Sequence, residues 1–248
     1  MIAGNGMSDR ELPEVQSGTI PLFVSIFIGV ALVGFAGLIY AVLNRDLGQR
    51  AEQQDPTAGI KHQHDLLSSE DKFRVRIETT AGPLVMEVRP DWAPRGATQF
   101  RDLVKAEFFR DCRFFRVVPD FVVQFGINGD PVIQADWTER LLDEEVTQTN
   151  RKWTVTYAKT GEPNSRTTQL FINLKDNAFL DKDGFSPIGE IVEGRENVEK
   201  IYAEYEDNPN QGRIQQEGNG YLSREFPKLD YITSVKILDE SPPKKDQE

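Results

Sequence analysis

The stretch Phe114–Pro131, FFRVVPDFVVQFGINGDP, constrains this chain more than any other. It reads as two short strands, Phe114–Val118 and Phe121–Phe125, broken at Pro119-Asp120. A loop opened by Gly126, Asn128 and Gly129 follows. Side chains in a strand alternate between faces. The break interrupts that parity, so a bend there predicts Arg116, Phe121 and Gln124 on one surface. A guanidinium, an aromatic face and an amide together suit an extended peptide. They offer hydrogen bonds to its carbonyls and a place for one apolar ring. On its own, the pattern also describes a β strand with one snorkelling arginine.

The same short-strand grammar recurs along the chain. Arg74–Thr79 and Pro83–Val88 alternate, with Thr80-Ala81-Gly82 between them as a hairpin turn. Pro94 suits the first turn of a helix, in which Ala97, Phe100, Leu103 and Val104 recur at helical spacing and face the core. Trp137–Asn150 is polar and acidic and reads as a solvated surface loop. Trp153–Ala158 is strand-like, and a Gly/Pro/Asn/Ser loop leads from it to a strand ending at Asn173. Ile188–Val192 is a further strand. Glu193–Ala203 reads as a helix with Val198 and Ile201 inward, and Glu204–Pro227 as a long insertion loop before the last strand, Tyr231–Leu238. About eight strands with one early and one late helix predict a mainly β fold, an eight-stranded antiparallel barrel closed to remove its edges.

Ahead of this domain lies a different kind of segment. Ile20–Leu43 carries no charged residue, and roughly 20 apolar residues suffice for a helix to cross a bilayer. The run exceeds the ~7–15 apolar residues of a cleaved signal, and its upstream flank holds Glu11 and Glu14. The expected layout is a disordered N-terminus (1–19), a transmembrane helix (20–43), a polar stalk (44–72), the folded domain (73–240) and a polar tail (241–248). His62 and His64 in the stalk lack the further ligands that a zinc site needs. A calcium loop over 179–190 is excluded because Phe179 would be its first ligand and Pro187 falls inside it. The net charge of -11 argues against a nucleic-acid surface. The single cysteine, Cys112, cannot form an internal disulfide and reads as a small hydrophobe.

The central stretch resembles the signature of the cyclophilins, F-x-R-V-x-P-x-F-x-x-Q-x-G. Phe114, Arg116, Val117, Pro119, Phe121, Gln124 and Gly126 meet every specified position. Asp120 and Phe125 stand where many relatives carry glycine. Thr168–Asn173 is similar to the family's S-Q-F-F-I segment, with Leu170 in place of its first Phe. Asn177–Asp181 is similar to x-x-W/F-L-D. The resemblance implies an eight-stranded barrel capped by two helices and a peptidyl-prolyl cis-trans isomerase without metal, nucleotide or other cofactor. It also implies roles: Arg116 as the catalytic donor, and Phe121, Val122, Phe171 and Leu180 as the pocket for the prolyl ring. Val122 replaces the usual Met. Gln124 would hold a substrate carbonyl, Phe179 and Phe185 would line the rim, and Gln169 would support the set. The implied partners are proline-containing segments of client proteins, whose folding the chain would assist. Residues 20–43 would tether it to a membrane, a bacterial inner membrane by family analogy, with the domain on the extracytoplasmic side. The alternatives from other classes are a silent module that binds proline-containing segments and a tethered scaffold that docks a partner through Glu204–Pro227.

Overall fold

The computed structural model describes residues 66–68 and 71–239. The expected N-terminus, transmembrane helix, tail and most of the stalk lie outside the described residues. Among the described residues no helix is long and apolar enough to cross a membrane.

The strands are β1 (Phe73–Thr79), β2 (Leu84–Val88), β3 (Arg116–Val118), β4 (Val122–Phe125), β5 (Thr154–Tyr157), β6 (Leu170–Asn173), β7 (Pro187–Glu193) and β8 (Ile232–Asp239). They form one antiparallel sheet in the order β3-β4-β6-β5-β7-β2-β1-β8. Alternation sets the inner face: Phe73, Val75 and Ile77 of β1 are buried, while Arg74 and Arg76 point outward. The β1–β2 hairpin pairs Ile77 with Leu84. Its turn closes through Gly82 N–H donating to Thr79 O at 3.2 Å.

The two ends of the sheet meet over a much shorter seam than a continuous barrel would show. Arg113 bridges Tyr231. Around it, Asp111 N–H donates to Ile232 O (2.8 Å), Ile232 N–H to Cys112 O (3.0 Å) and Phe114 N–H to Asp230 O (2.9 Å). β3 is only three residues long, so β8 cannot pair along it. Its free edge is covered by a loop instead: Val117 N–H donates to Glu206 O at 3.1 Å. Covering an edge with a loop protects it as pairing would.

Helix α1 (Pro94–Lys105) starts with proline in its first turn and buries Ala97, Phe100, Leu103 and Val104 against the sheet. Its N-cap, Ala93, has no side chain that could accept a hydrogen bond. The carboxylate of Glu144, far along the chain, does so instead, accepting from Arg95 N–H at 2.5 Å and Gly96 N–H at 3.1 Å. Glu144 also pairs with Arg166 at 2.8 Å, and the two side chains are 4% and 2% exposed. The acidic 137–150 segment is therefore not simply a solvated face. It lacks helix and strand as expected, but it sends one charge inward to where an unsatisfied helix terminus and a buried cation need it.

The late helix also differs from expectation. Beyond the short α2 (Pro131–Ala135) and α3 (Phe179–Lys182), α4 is a single turn, Arg195–Val198. Val198 and Ile201 are buried as their spacing predicted. The second long helix is α5, Gln211–Glu225, inside the segment read as an insertion loop. Gly212, Gly218 and Gly220 lower its intrinsic propensity by about 1 kcal/mol each relative to alanine. Burial overrides that. Ile214, Tyr221 and Leu222 pack with Phe115, Ile127 and Leu229 into a second, smaller core. The helix kinks at Gly218 (φ 58°, ψ -145°). There a Cβ would lie 2.1 Å from Gly129 O, and Asn219 N–H donates to that same carbonyl at 2.8 Å.

Candidate active site

Parity and register build the site on the outer face of β3, β4 and β6. On β4, Val123 and Phe125 enter the main core, whereas Val122 joins a separate apolar cluster. Gln124 lies on the same outer face as Val122. Arg116 is the cross-strand partner of Gln124, Gln124 that of Phe171, and Phe171 that of Thr156. One row across four strands thus sets a cation beside an amide beside an aromatic ring.

The turn between β3 and β4 adds the next wall. Phe121 N–H donates to Val118 O at 3.1 Å, closing a four-residue turn over Pro119-Asp120. Asp120 takes φ 54° there, a conformation that glycine adopts more easily than aspartate. The turn swings Phe121 to the outer face, with the Arg116 guanidinium carbon 5.7 Å from its ring centroid. At the far end of β4, Gly126 must be glycine for a different reason. A Cβ would lie 2.4 Å from the carbonyl oxygen of Thr168, whose hydroxyl donates to Gly126 O at 2.8 Å. This close approach locks β4 against the entry to β6.

Arg116 Nη1 donates to Gln124 Oε1 at 3.3 Å, and Gln124 Nε2 donates to Gln169 Oε1 at 2.9 Å. Gln169 thus orients Gln124 so that its oxygen faces the guanidinium. Among the described residues no carboxylate lies within ion-pair distance of Arg116. Burial lowers its pKa from the ordinary arginine value, and Asp207 on the edge-covering loop acts in the opposite direction. Arginine stays charged at neutral pH all the same, so the site holds a half-buried cation with donor capacity left over.

Beside it lies the apolar cluster of Val122, Phe171 and Leu180, with Phe121, Ala158 and Phe185 packed against it. Phe185 meets Phe171 edge-on at 5.9 Å. Phe179 stacks on Phe121 at 6.1 Å and is 51% exposed, which places it at the mouth. All nine residues singled out from the sequence therefore converge on one face: Arg116, Phe121, Val122, Gln124, Gln169, Phe171, Phe179, Leu180 and Phe185. Sequence reasoning missed Ala158 and Lys159, whose Nζ sits 5.5 Å from the Phe185 ring centroid. It also missed a buried polar layer, Asn150, Thr156, Asn173 and Asn177, behind the cluster. Nothing in a single asparagine's sequence context separates a buried one from a solvated one.

Comparison with known proteins gives the same picture. The sequence profile described as "Cyclophilin type peptidyl-prolyl cis-trans isomerase/CLD" matches residues 74–218. Peptidyl-prolyl cis-trans isomerase cyp18 of Streptomyces antibioticus is 33% identical over 136 residues, 51% of this chain and 81% of that protein. Peptidyl-prolyl cis-trans isomerase B of Escherichia coli is 32% identical over 136 residues, 51% and 82%. The crystal structure of a Cryptosporidium parvum cyclophilin-type isomerase superposes with a TM-score of 0.52 at 19% identity, covering 68% of this chain and 99% of that one; at that identity the likeness speaks for the fold. With the profile spanning more than half of the chain and the relatives matched over most of their own length, this chain belongs to the cyclophilin-type peptidyl-prolyl cis-trans isomerase family.

Proposed function

We propose that the chain catalyses cis/trans isomerisation of X–Pro bonds in polypeptides, assisting the folding of client proteins. The barrier is about 18–20 kcal/mol because rotation breaks amide resonance. No covalent step is needed; the site has only to bind the twisted amide better than the planar one. Twisting leaves a lone pair on the proline nitrogen. A fixed cationic donor aimed at it acts as an oxyanion-hole donor does.

The observation that carries this reading is the half-buried Arg116 guanidinium. It has no carboxylate partner among the described residues, and Gln124 holds it beside the Val122–Phe171–Leu180 cluster. The prolyl ring would sit on that cluster, with Phe121 and Phe185 at its sides and Phe179 at the rim. Gln124 would take a substrate carbonyl through its amide. Residues 20–43 would tether the domain to a membrane, a reading supported by their lack of charge; by family analogy it would be a bacterial inner membrane, with the domain on the extracytoplasmic side. Protease accessibility on intact cells tests that placement.

The test of the reaction is a protease-coupled assay with the full chain on an Ala-Pro-Phe peptide. Arg116→Ala should lower turnover by about 10²–10³, the scale of losing one preorganised donor, while the chain stays folded. Full activity in that variant would remove Arg116 from the mechanism.

A further inference from the structure

We infer that Asn150 is a positioning residue of this site, setting the spacing between the walls that take the prolyl ring. It stands at the end of the acidic segment, just before β5, and is fully buried. Its side-chain N–H groups donate to Phe185 O at 2.8 Å and to Asp181 Oδ1 at 2.8 Å. Its backbone N–H donates to the same carboxylate oxygen at 3.0 Å. Its side-chain oxygen accepts from the Thr156 hydroxyl at 2.8 Å and from Asn173 Nδ2 at 3.3 Å. Its backbone carbonyl accepts from Asn177 N–H at 2.7 Å. Every hydrogen-bonding group that asparagine owns is used.

What these partners have in common is the site. Phe185 is one wall. Asp181 belongs to α3 and follows Leu180, another wall. Thr156 is the cross-strand partner of Phe171, and Asn173 stands two residues beyond Phe171 on the same face. Asn177 carries the link to the opposite side, donating to Phe121 O at 3.0 Å and to Asn173 Oδ1 at 2.8 Å. A continuous run of buried hydrogen bonds thus joins Phe121 to Phe185 behind the apolar cluster, with Asn150 as its hub. Fully satisfied buried networks fix geometry in a way that apolar contacts alone do not. The hydrogen bonds of Asn150 do not reach Arg116, whose side chain is held from the other direction through Gln124. Asn150 should therefore govern how well the ring is held and leave the donor in place.

This inference rests on the isomerase reading, and the experiment separates the two. The full-length wild-type chain, Asn150→Ala, Asp181→Ala and Arg116→Ala are compared by kcat and KM on the Ala-Pro-Phe peptide and by thermal melting. Asn150→Ala is expected to raise KM about tenfold with kcat within about threefold of wild type, the pattern of lost binding that is common to ground and transition states. Asp181→Ala removes the acceptor of two Asn150 N–H groups, and with it the tie to the Leu180 turn, and should raise KM about threefold; it decides the question alone if Asn150→Ala does not fold. Arg116→Ala should show the opposite split, a loss in kcat. Unchanged KM in the folded variants, with melting lowered, would overturn the positioning role and leave a purely structural network. If the wild-type chain shows no turnover, the isomerase reading is what fails. The peptide's Kd by NMR titration then decides the role of Asn150: a Kd raised in the variants supports it, and an unchanged Kd overturns it.

Discussion

Glu144 carries a load that the charge pattern of its segment hides. Its carboxylate accepts from two backbone N–H groups at the start of α1 and from Arg166. Arg166 is 1% exposed. Its other contacts are the carbonyl of Leu142 and Asp143, the latter at 3.8 Å. Glu144→Gln keeps the shape and removes the charge. Breaking a buried pair from one side leaves an uncompensated charge and costs about 3–5 kcal/mol. Asp143 offsets part of that, so about 3 kcal/mol is expected for Glu144→Gln. Glu144→Ala also removes the helix cap, adding about 1 kcal/mol. Against a total stability of about 5–15 kcal/mol this is a large fraction. Urea unfolding of the full chain, followed by tryptophan fluorescence, should show a midpoint lowered by about 1–2 M for a slope near 2 kcal/mol/M, with the slope itself unchanged. The double variant Glu144→Leu/Arg166→Met should recover much of the loss, because a buried pair replaced by apolar groups of similar volume is often close to neutral. A loss under about 1 kcal/mol for Glu144→Gln would refute the reasoning, as it would place the pair in the range of solvent-screened surface bridges.

Two further outcomes follow from the same geometry. Burial lowers the Arg116 pKa in the folded chain, so its cation costs stability at neutral pH, and that cost fades only as pH rises through the folded value, far into the alkaline range. The isomerisation rate should therefore stay flat from about pH 6 to 9; a bell-shaped profile would contradict this. Gly218→Ala forces a side chain into positive φ and against Gly129 O. It should destabilise the chain by about 1–3 kcal/mol in chemical unfolding, whereas a neutral result would show that the α5 kink is not held as described.

That Arg116, Phe121 and Gln124 would share one surface was legible in the sequence for a physical reason, whereas Val122, Gln169, Phe171, Phe179, Leu180 and Phe185 were singled out through the family resemblance. Strand parity alone puts Val122 and Gln124 on one face and Val123 and Phe125 on the other, and the Pro119-Asp120 break marks the turn that brings Phe121 round to join them. Helix α1 was equally plain, since its apolar spacing and opening proline are local properties. The expected transmembrane helix, 20–43, lies outside the described residues. What local sequence could not reveal was the fate of polar and flexible residues. Glu144 and Asn150 look like any solvated pair in an acidic loop. They are buried because an α1 terminus 48 and 49 residues away and the carbonyl of Phe185 need partners. Helix α5 reads as a glycine-rich loop, and it is a helix because Phe115, Ile127 and Leu229 supply the apolar surface it covers. Side-chain periodicity is written residue by residue along the chain; the satisfaction of a buried charge, amide or helix end depends on groups that only folding brings within hydrogen-bonding distance.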